Sequence, residues 1–285
     1  MTATRSMLSL HHVTRRFGGL VAVNDLTMHV QANAIHGLIG PNGAGKSTAF
    51  DLISGLTPLS AGSIEFDGAD LTRASVEQRV RAGICRTFQT PRLFEKMTAL
   101  DVVMCGRHLH GRTGILGSMF SVMSKHRDEV NIRRASIELL DFVGLSDAKD
   151  DVVSNMPYGK RRLVEIARAL ATGPKMLLLD EVASGLNPVE TAAVSSLIRR
   201  LQEQGMTIVL VEHDMRFVMD LCGQITVLNF GTKIASGTPA EVSSNQHVIE
   251  AYLGHPRPVG RSRRDQRRAI LAPGTDSTDQ MEHEQ

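Results

Sequence analysis

A chain of 285 residues, 42% hydrophobic and 22% charged, has room for one large α/β domain with a helical insertion, or for two small domains. Its formal net charge of +2 excludes a global bias toward nucleic acid, and no apolar run approaches the roughly 20 residues that a bilayer span needs. The three cysteines, Cys85, Cys105 and Cys222, are widely spaced, make no metal pattern and suit a reducing compartment. With no charged-then-apolar stretch at the start, the expected location is the cytoplasm, any link to a membrane coming through a partner.

Residues 7–30 read as short strands: LSLHHVTRRF alternates loosely, LVAVNDLTMHV alternates again, and Asn24-Asp25 is a turn candidate. AIHGLIG, Ala34 to Gly40, is a buried strand feeding a loop. KSTAFDLISGL is a helix stopped by Gly55 and Pro58, and SAGSIEFDGADLT a hairpin turning at Asp67-Gly68. From about Thr98 to Val152 the character is helical, with Ile137, Leu140 and Val143 near one face. Gly106 to Gly117, with several glycines and histidines, is expected to be a mobile connection.

MLLLDE and MTIVLVEH are buried strands, NPVETAAVSSLIRRLQEQG a helix with Pro188 near its start and Gly205 at its end, and MRFVMDLC a short helix. QITVLNFGTKIASGTP is a hairpin around Phe230-Gly231. Strands alternating with helices predict a mainly parallel sheet covered on both faces. From His255 the chain carries six arginines and then a polar, acidic end, the composition of a disordered tail over 255–285.

GPNGAGKST, Gly40 to Thr48, satisfies G-x-x-x-x-G-K-[ST] after an apolar strand and before a helix. Glycines let the backbone wrap phosphates with its amides inward, and the helix N-terminus adds a favourable dipole. The expected phosphate contacts are Asn42, Gly43, Ala44, Gly45, Lys46, Ser47 and Thr48. Lys46 reaches the β- and γ-phosphates, and the Ser47 hydroxyl binds Mg²⁺. Asp180, at the end of MLLLDE, fits a Mg²⁺ role. Glu181, on the opposite side of the chain, is placed to polarise a water attacking the γ-phosphate. His213 in VEHDM ends another buried strand, within reach of that water, and Gln89 in TFQTPRLF can reach Mg²⁺ or the water when two lobes close. Read singly, the acids make an exposed turn, His213 a structural histidine and Gln89 a polar loop residue. Their company with the phosphate loop is what favours chemistry.

In that order, with the stretch MPYGKRRLVEIARAL from Met156, these motifs resemble the nucleotide-binding domain of an ATP-binding-cassette (ABC) ATPase over roughly residues 7–254. The resemblance implies an α/β P-loop NTPase fold with a mainly parallel core sheet, an N-terminal antiparallel β subdomain and a helical subdomain at about 98–172. It implies ATP and Mg²⁺ as ligands, Lys46, Glu181 and His213 as catalytic residues, and Ser47, Gln89 and Asp180 around the metal. Phe17 matches the aromatic that stacks on adenine, and Gln89 the segment linking the catalytic core to a transmembrane partner. Ser184, Gly185, Leu186 and Asn187 match the D-loop, with Asn187 where aspartate is common, and Val182 replaces a usual proline.

Pro157, Tyr158, Gly159 and Lys160 match the signature that points at the nucleotide on the opposite monomer, usually Leu-Ser-Gly-Gly-Gln. Pro157 lacks both the hydroxyl and an amide proton, a hydrogen bond to a charged group being worth about 1.5–3 kcal/mol. Lys160 offsets part of this with its charge, Gly159 keeps close backbone approach, and the basic helix from Arg161 and Arg162 is intact. The expectation is a weakened but living signature.

RFGGLVAVNDL, the Tyr-Gly-x-x-Arg signature, SGLNP and VIEAYLG look most like ATPases of branched-chain amino-acid importers. Such a resemblance implies two transmembrane permease subunits, a second ATPase chain, an extracytoplasmic solute-binding protein, no nucleic acid, and a place on the cytoplasmic face of the inner membrane. The alternatives are the ATPase of a lipid or lipopolysaccharide exporter, a soluble ABC ATPase, or a module that holds ATP without turnover.

Overall fold

The computed structural model describes residues 5–87, 96–107 and 122–253, with side chains over 128–252 in the last stretch. Gln89, most of the Gly106–Gly117 connection and the 255–285 tail lie outside the described residues.

β1 (Ser6–Phe17) and β2 (Leu20–Gln31) pair antiparallel, turning at Gly18 and Gly19, with β4 (Ala61–Phe66) and β5 (Ala69–Asp70) completing a sheet of order β2-β1-β4-β5. Asn24-Asp25 is not a turn: β2 runs straight through it. Asp25 has φ 53° and sits where the β1–β2 register slips, its amide donating to Thr14 Oγ1 at 3.0 Å and its carboxylate meeting His12 Nδ1 at 2.7 Å. A left-handed Asp serves a bulge as readily as a turn. At Asp67-Gly68 and Phe230-Gly231 both residues have positive φ, the backbone that two-residue hairpins need.

The second sheet has the order β10-β9-β3-β8-β7-β6, comprising β3 (Ile35–Ile39), β6 (Ile84–Arg86), β7 (Met176–Asp180), β8 (Thr207–Val211), β9 (Gln224–Asn229) and β10 (Thr232–Gly237). All pairs are parallel except β9–β10. Every residue of β3, β7 and β8 is buried, as continuous apolar strands covered on both faces must be. The pleat sorts β7: Met176 and Leu178 pack with Leu8, Leu10 and Phe50 on one side, Leu177 and Leu179 with Leu140, Ile166 and Ile198 on the other. Each such side chain contributes about 1.5–3 kcal/mol on burial. His36, inside β3, bonds Thr226 Oγ1 at 2.9 Å, and burial pushes its pKa down to about 4. It is a core residue.

The helices are α1 (Lys46–Ser54), α2 (Val76–Ala82), α3 (Ala99–Arg107), α4 (Val122–Phe142), α5 (Tyr158–Ala171), α6 (Pro188–Glu203), α7 (Met215–Leu221), α8 (Pro239–Ser243) and α9 (Gln246–Leu253). In α4 Leu140 and, just beyond it, Val143 are buried, with Ile137 packed beside them, the face that the spacing predicts. The sequence reading passed over α2, although Ser75 and Gln78 make its reciprocal capping box. Its buried Arg79 donates to the carbonyls of Leu52 and Ile53 at 2.9 and 2.8 Å, satisfying the C-terminal end of α1.

Candidate active site

The loop from Gly40 to Gly45 leaves the C-terminal end of β3 and enters α1 at Lys46. A side chain at Gly40 would collide with the Leu228 carbonyl, and one at Gly45 with the Ala22 carbonyl. Both glycines are therefore demanded by close approach. At Gly43, φ 78° is the reason, and a side chain there would meet nothing within 4 Å. The loop is thus pressed against its neighbours at both ends and open in the middle. α1 has Gly45 as its N-cap and no side-chain cap bond, and an uncapped helix start favours anions.

Lys46 is 6% exposed, and its Nζ donates to the carbonyls of Gly40 at 2.7 Å and Pro41 at 3.0 Å. Burial lowers its pKa, while the charges of Glu181 and Asp180 work the other way. A cavity of about 460 Å³ opens here, lined by Asn42 to Thr48 of the loop, Glu181 and His213 at one rim, and Leu20, Val21, Ala22, Phe230 and Gly231 at the other. Phe17 lies outside that lining. It is 45% exposed, with the Arg15 guanidinium 4.4 Å from its ring centre. The aromatic ring that does line the cavity, Phe230, went unnoticed as a site residue because it was read only as a turn residue.

Asp180 ends β7, and its Oδ2 accepts from Arg86 at 2.7 Å while the other guanidinium nitrogen reaches Asp51. Glu181 has φ 51°, its amide donates to the Val211 carbonyl at 2.9 Å, and its Oε1 lies 2.8 Å from His213 Nε2. Strands β7 and β8 are paired up to Asp180 and Val211, which is why residues 181 and 213 emerge side by side. Glu212 is 3% exposed and accepts the amides of Ala183 at 2.8 Å and His213 at 3.3 Å.

The structure gathers the remaining motif residues in a second place. Pro157 is the N-cap of α5 and makes no side-chain cap bond. Tyr158, 47% exposed, accepts from Arg162 at 2.6 Å, and Arg162 also pairs with the buried Glu165 at 3.0 Å. A side chain on Gly185 would come within 3.2 Å of the Tyr158 ring, and one on Gly159 would strike the Glu190 carboxylate. Pro157 to Lys160 and Ser184 to Asn187 therefore lie against each other, while neither stretch lines the cavity at Lys46.

The ABC transporter family model matches residues 23–184, and a branched-chain amino acid ATP-binding cassette transporter model matches 232–257. The chain is 38% identical over 252 residues to the high-affinity branched-chain amino acid transport ATP-binding protein BraF of Pseudomonas aeruginosa, covering 88% of this chain and 99% of that one. Identity to LivG of Escherichia coli K12, which carries the same description, is also 38% over the same shares. The lipopolysaccharide export system ATP-binding protein LptB of E. coli K12 is 31% identical over 247 residues, 87% of this chain and 97% of that one.

The chain belongs to the ABC transporter ATP-binding family. A crystal structure of a nucleotide-free ATP-binding cassette from an ABC transporter superposes with a TM-score of 0.78 at 28% identity, covering 88% of this chain and all of that one. The ADP conformation of the cassette MJ1267 gives 0.77 at 28%, over the same shares. As an ABC ATPase the protein binds and hydrolyses ATP and works with transmembrane partners. Among the described residues no helix is long and apolar enough to cross a membrane. Of this ABC ATPase's site, Arg86 and Glu212 were missed by the sequence reading. Arg86 bonds Asp180, 94 positions away, and Glu212 accepts from Ala183, 29 positions away, contacts that no spacing rule announces.

Proposed function

We propose that this protein is the ATP-hydrolysing subunit of an importer for branched-chain amino acids or related small solutes. The observation that carries the reading is the match of residues 232–257 to the branched-chain amino acid ATP-binding cassette model. The higher identity to BraF and LivG than to LptB favours it over the exporter alternative. The chain sits on the cytoplasmic face of the inner membrane beneath two permease subunits, paired with a second ATPase chain, and a solute-binding protein outside delivers the cargo.

The loop amides and the α1 N-terminus bind the phosphates, with Lys46 exchanging its carbonyl bonds to Gly40 and Pro41 for β- and γ-phosphate oxygens. Phe17 stacks on the adenine. Glu181 accepts the proton of the attacking water, and His213, bonded to it, holds that carboxylate and faces the γ-phosphate. The hydroxyl of Ser47 and the carboxylate of Asp180 are hard oxygen donors that suit Mg²⁺; they and Gln89 would hold it, and the ion supplies charge neutralisation on the phosphates. Tyr158, Gly159 and Lys160 reach the nucleotide on the partner ATPase, with Ser184 to Asn187 passing between the two chains.

The test is uptake of labelled leucine by cells carrying Glu181→Gln, which traps ATP and abolishes transport. General-base removal costs roughly 10²–10⁴-fold in rate. Normal leucine uptake with a defect in lipopolysaccharide export would instead assign the chain to the exporter class.

A further inference from the structure

Glu212 lies between β8 and His213 and is deeply buried, as are its chain neighbour Val211 and Val182 next to its partner Ala183, each 1% exposed. A residue wanted there for packing alone would be apolar too, since a buried carboxylate is unfavourable unless its oxygens are satisfied. Burial pushes its carboxyl up. The amides of Ala183 and His213 hold it down, the Glu181 charge again raises it, and His213 lowers it.

The two amides it accepts belong to different strand ends. Ala183 lies two residues past Glu181 in the turn after β7, and His213 is the residue paired with Glu181. The contacts close a ring. On one side His213 Nε2 meets Glu181 Oε1 at 2.8 Å, and on the other a single carboxylate binds the backbone behind both residues. Glu181 also needs an external hold, because its φ of 51° is a conformation that a non-glycine residue keeps only where its surroundings enforce it.

We propose that Glu212 is a positioning residue of the ATPase reaction, fixing Glu181 and His213 relative to each other by gripping the amides of Ala183 and His213 with one carboxylate. This rests on the reading of Glu181 and His213 as the pair that acts on the attacking water.

The experiment compares the full-length wild-type chain with Glu212→Gln, Glu212→Met and Glu181→Gln, measuring kcat, KM for ATP and melting temperature. Glutamine keeps the shape but turns a donor toward one of the two amides. Methionine keeps much of the volume and accepts neither amide well, which leaves two buried donors unpaired and lowers stability. Misplacing reacting groups slows turnover, so both Glu212 variants should lose roughly 10- to 100-fold in kcat while KM stays within about twofold. The methionine variant should melt lower than wild type, while the glutamine variant, which keeps one acceptor oxygen, should melt close to it and still lose turnover. Turnover near wild type in either Glu212 variant, with Glu181→Gln inactive, overturns the proposal. So does a fall in kcat in the glutamine variant that merely follows a falling melting temperature, which would make Glu212 a structural residue. Retained turnover in Glu181→Gln would strike the parent reading instead.

Discussion

Helices α5 and α6 begin beside each other and begin in opposite ways. At α6 the Asn187 side chain accepts the amides of Val189 and Glu190 at 2.9 and 3.0 Å, Glu190 returns a bond to the Asn187 amide at 3.0 Å, and Pro188 has no amide to satisfy. At α5 the cap is Pro157, with no side-chain acceptor at all. α2, α7 and α8 follow the first pattern, with Ser75, Asp214 and Thr238 as caps. α1 follows the second. The capped starts belong to the scaffold. Among the α-helix starts whose caps are described, α1 and α5 lack a side-chain acceptor, and they are the two proposed to meet phosphate, one in this chain and one across a dimer. A helix start whose amides are already bonded cannot bind an anion, so a missing cap here marks readiness for a ligand.

The comparison breaks most severely if α5 is capped with a negative charge. Pro157→Asp should supply an acceptor worth about 0.5–2 kcal/mol, leaving thermal stability no lower. ATP turnover of the assembled transporter should nevertheless fall by about 100-fold, because a carboxylate then sits where phosphate is to bind and like charges repel. Undiminished turnover would separate α5 from the nucleotide.

Gly159→Ala comes next. Its methyl must displace the Glu190 carboxylate and so disturbs both helix starts, at a cost of about 1–3 kcal/mol as in other overpacked sites. Urea unfolding measures it, and a loss of less than about 0.5 kcal/mol would mean that Glu190 moves aside without consequence for its cap.

Pro157→Ser should sharpen the contrast from the other side. Unlike a carboxylate, a neutral hydroxyl can turn from the helix amides to donate to the γ-phosphate, and turnover should rise up to about tenfold, equivalent to about 1.4 kcal/mol, the scale of one net hydrogen bond. An unchanged rate would show that Lys160 already compensates fully. The smallest effect belongs to Asn187→Ala, which removes the α6 cap and should cost about 1 kcal/mol of stability, read as a lower melting temperature.

What the sequence disclosed follows the same physics. Phosphate binding by backbone requires glycines at fixed intervals between a strand and a helix, so Gly40 to Thr48 could be read directly, and the acids and histidine stood out at the ends of apolar strands. Contacts made by one side chain to groups distant in the chain leave no such periodic trace. Glu212 beneath Ala183, Arg86 between two aspartates and Arg79 under α1 all belong to that class. Asn24-Asp25 misled because turn chemistry and bulge chemistry use the same residues. The Asn187 cap was half legible: the helix and its Pro188 were read, while Asn187 itself was weighed only as a D-loop substitution.

Arg86 has a consequence for how this protein can change over generations. Its guanidinium, 10% exposed, bridges Asp51 and Asp180, the latter proposed above as a Mg²⁺ donor. Lysine cannot reproduce a planar fork between two carboxylates. A drift from Arg86 to lysine would therefore leave one aspartate poorly matched, and loss of Asp51 alone would unbalance the fork. Positions 51 and 86 are bound to vary as a pair or not at all, and aligned relatives should show that pairing as covariation wherever Asp180 is kept.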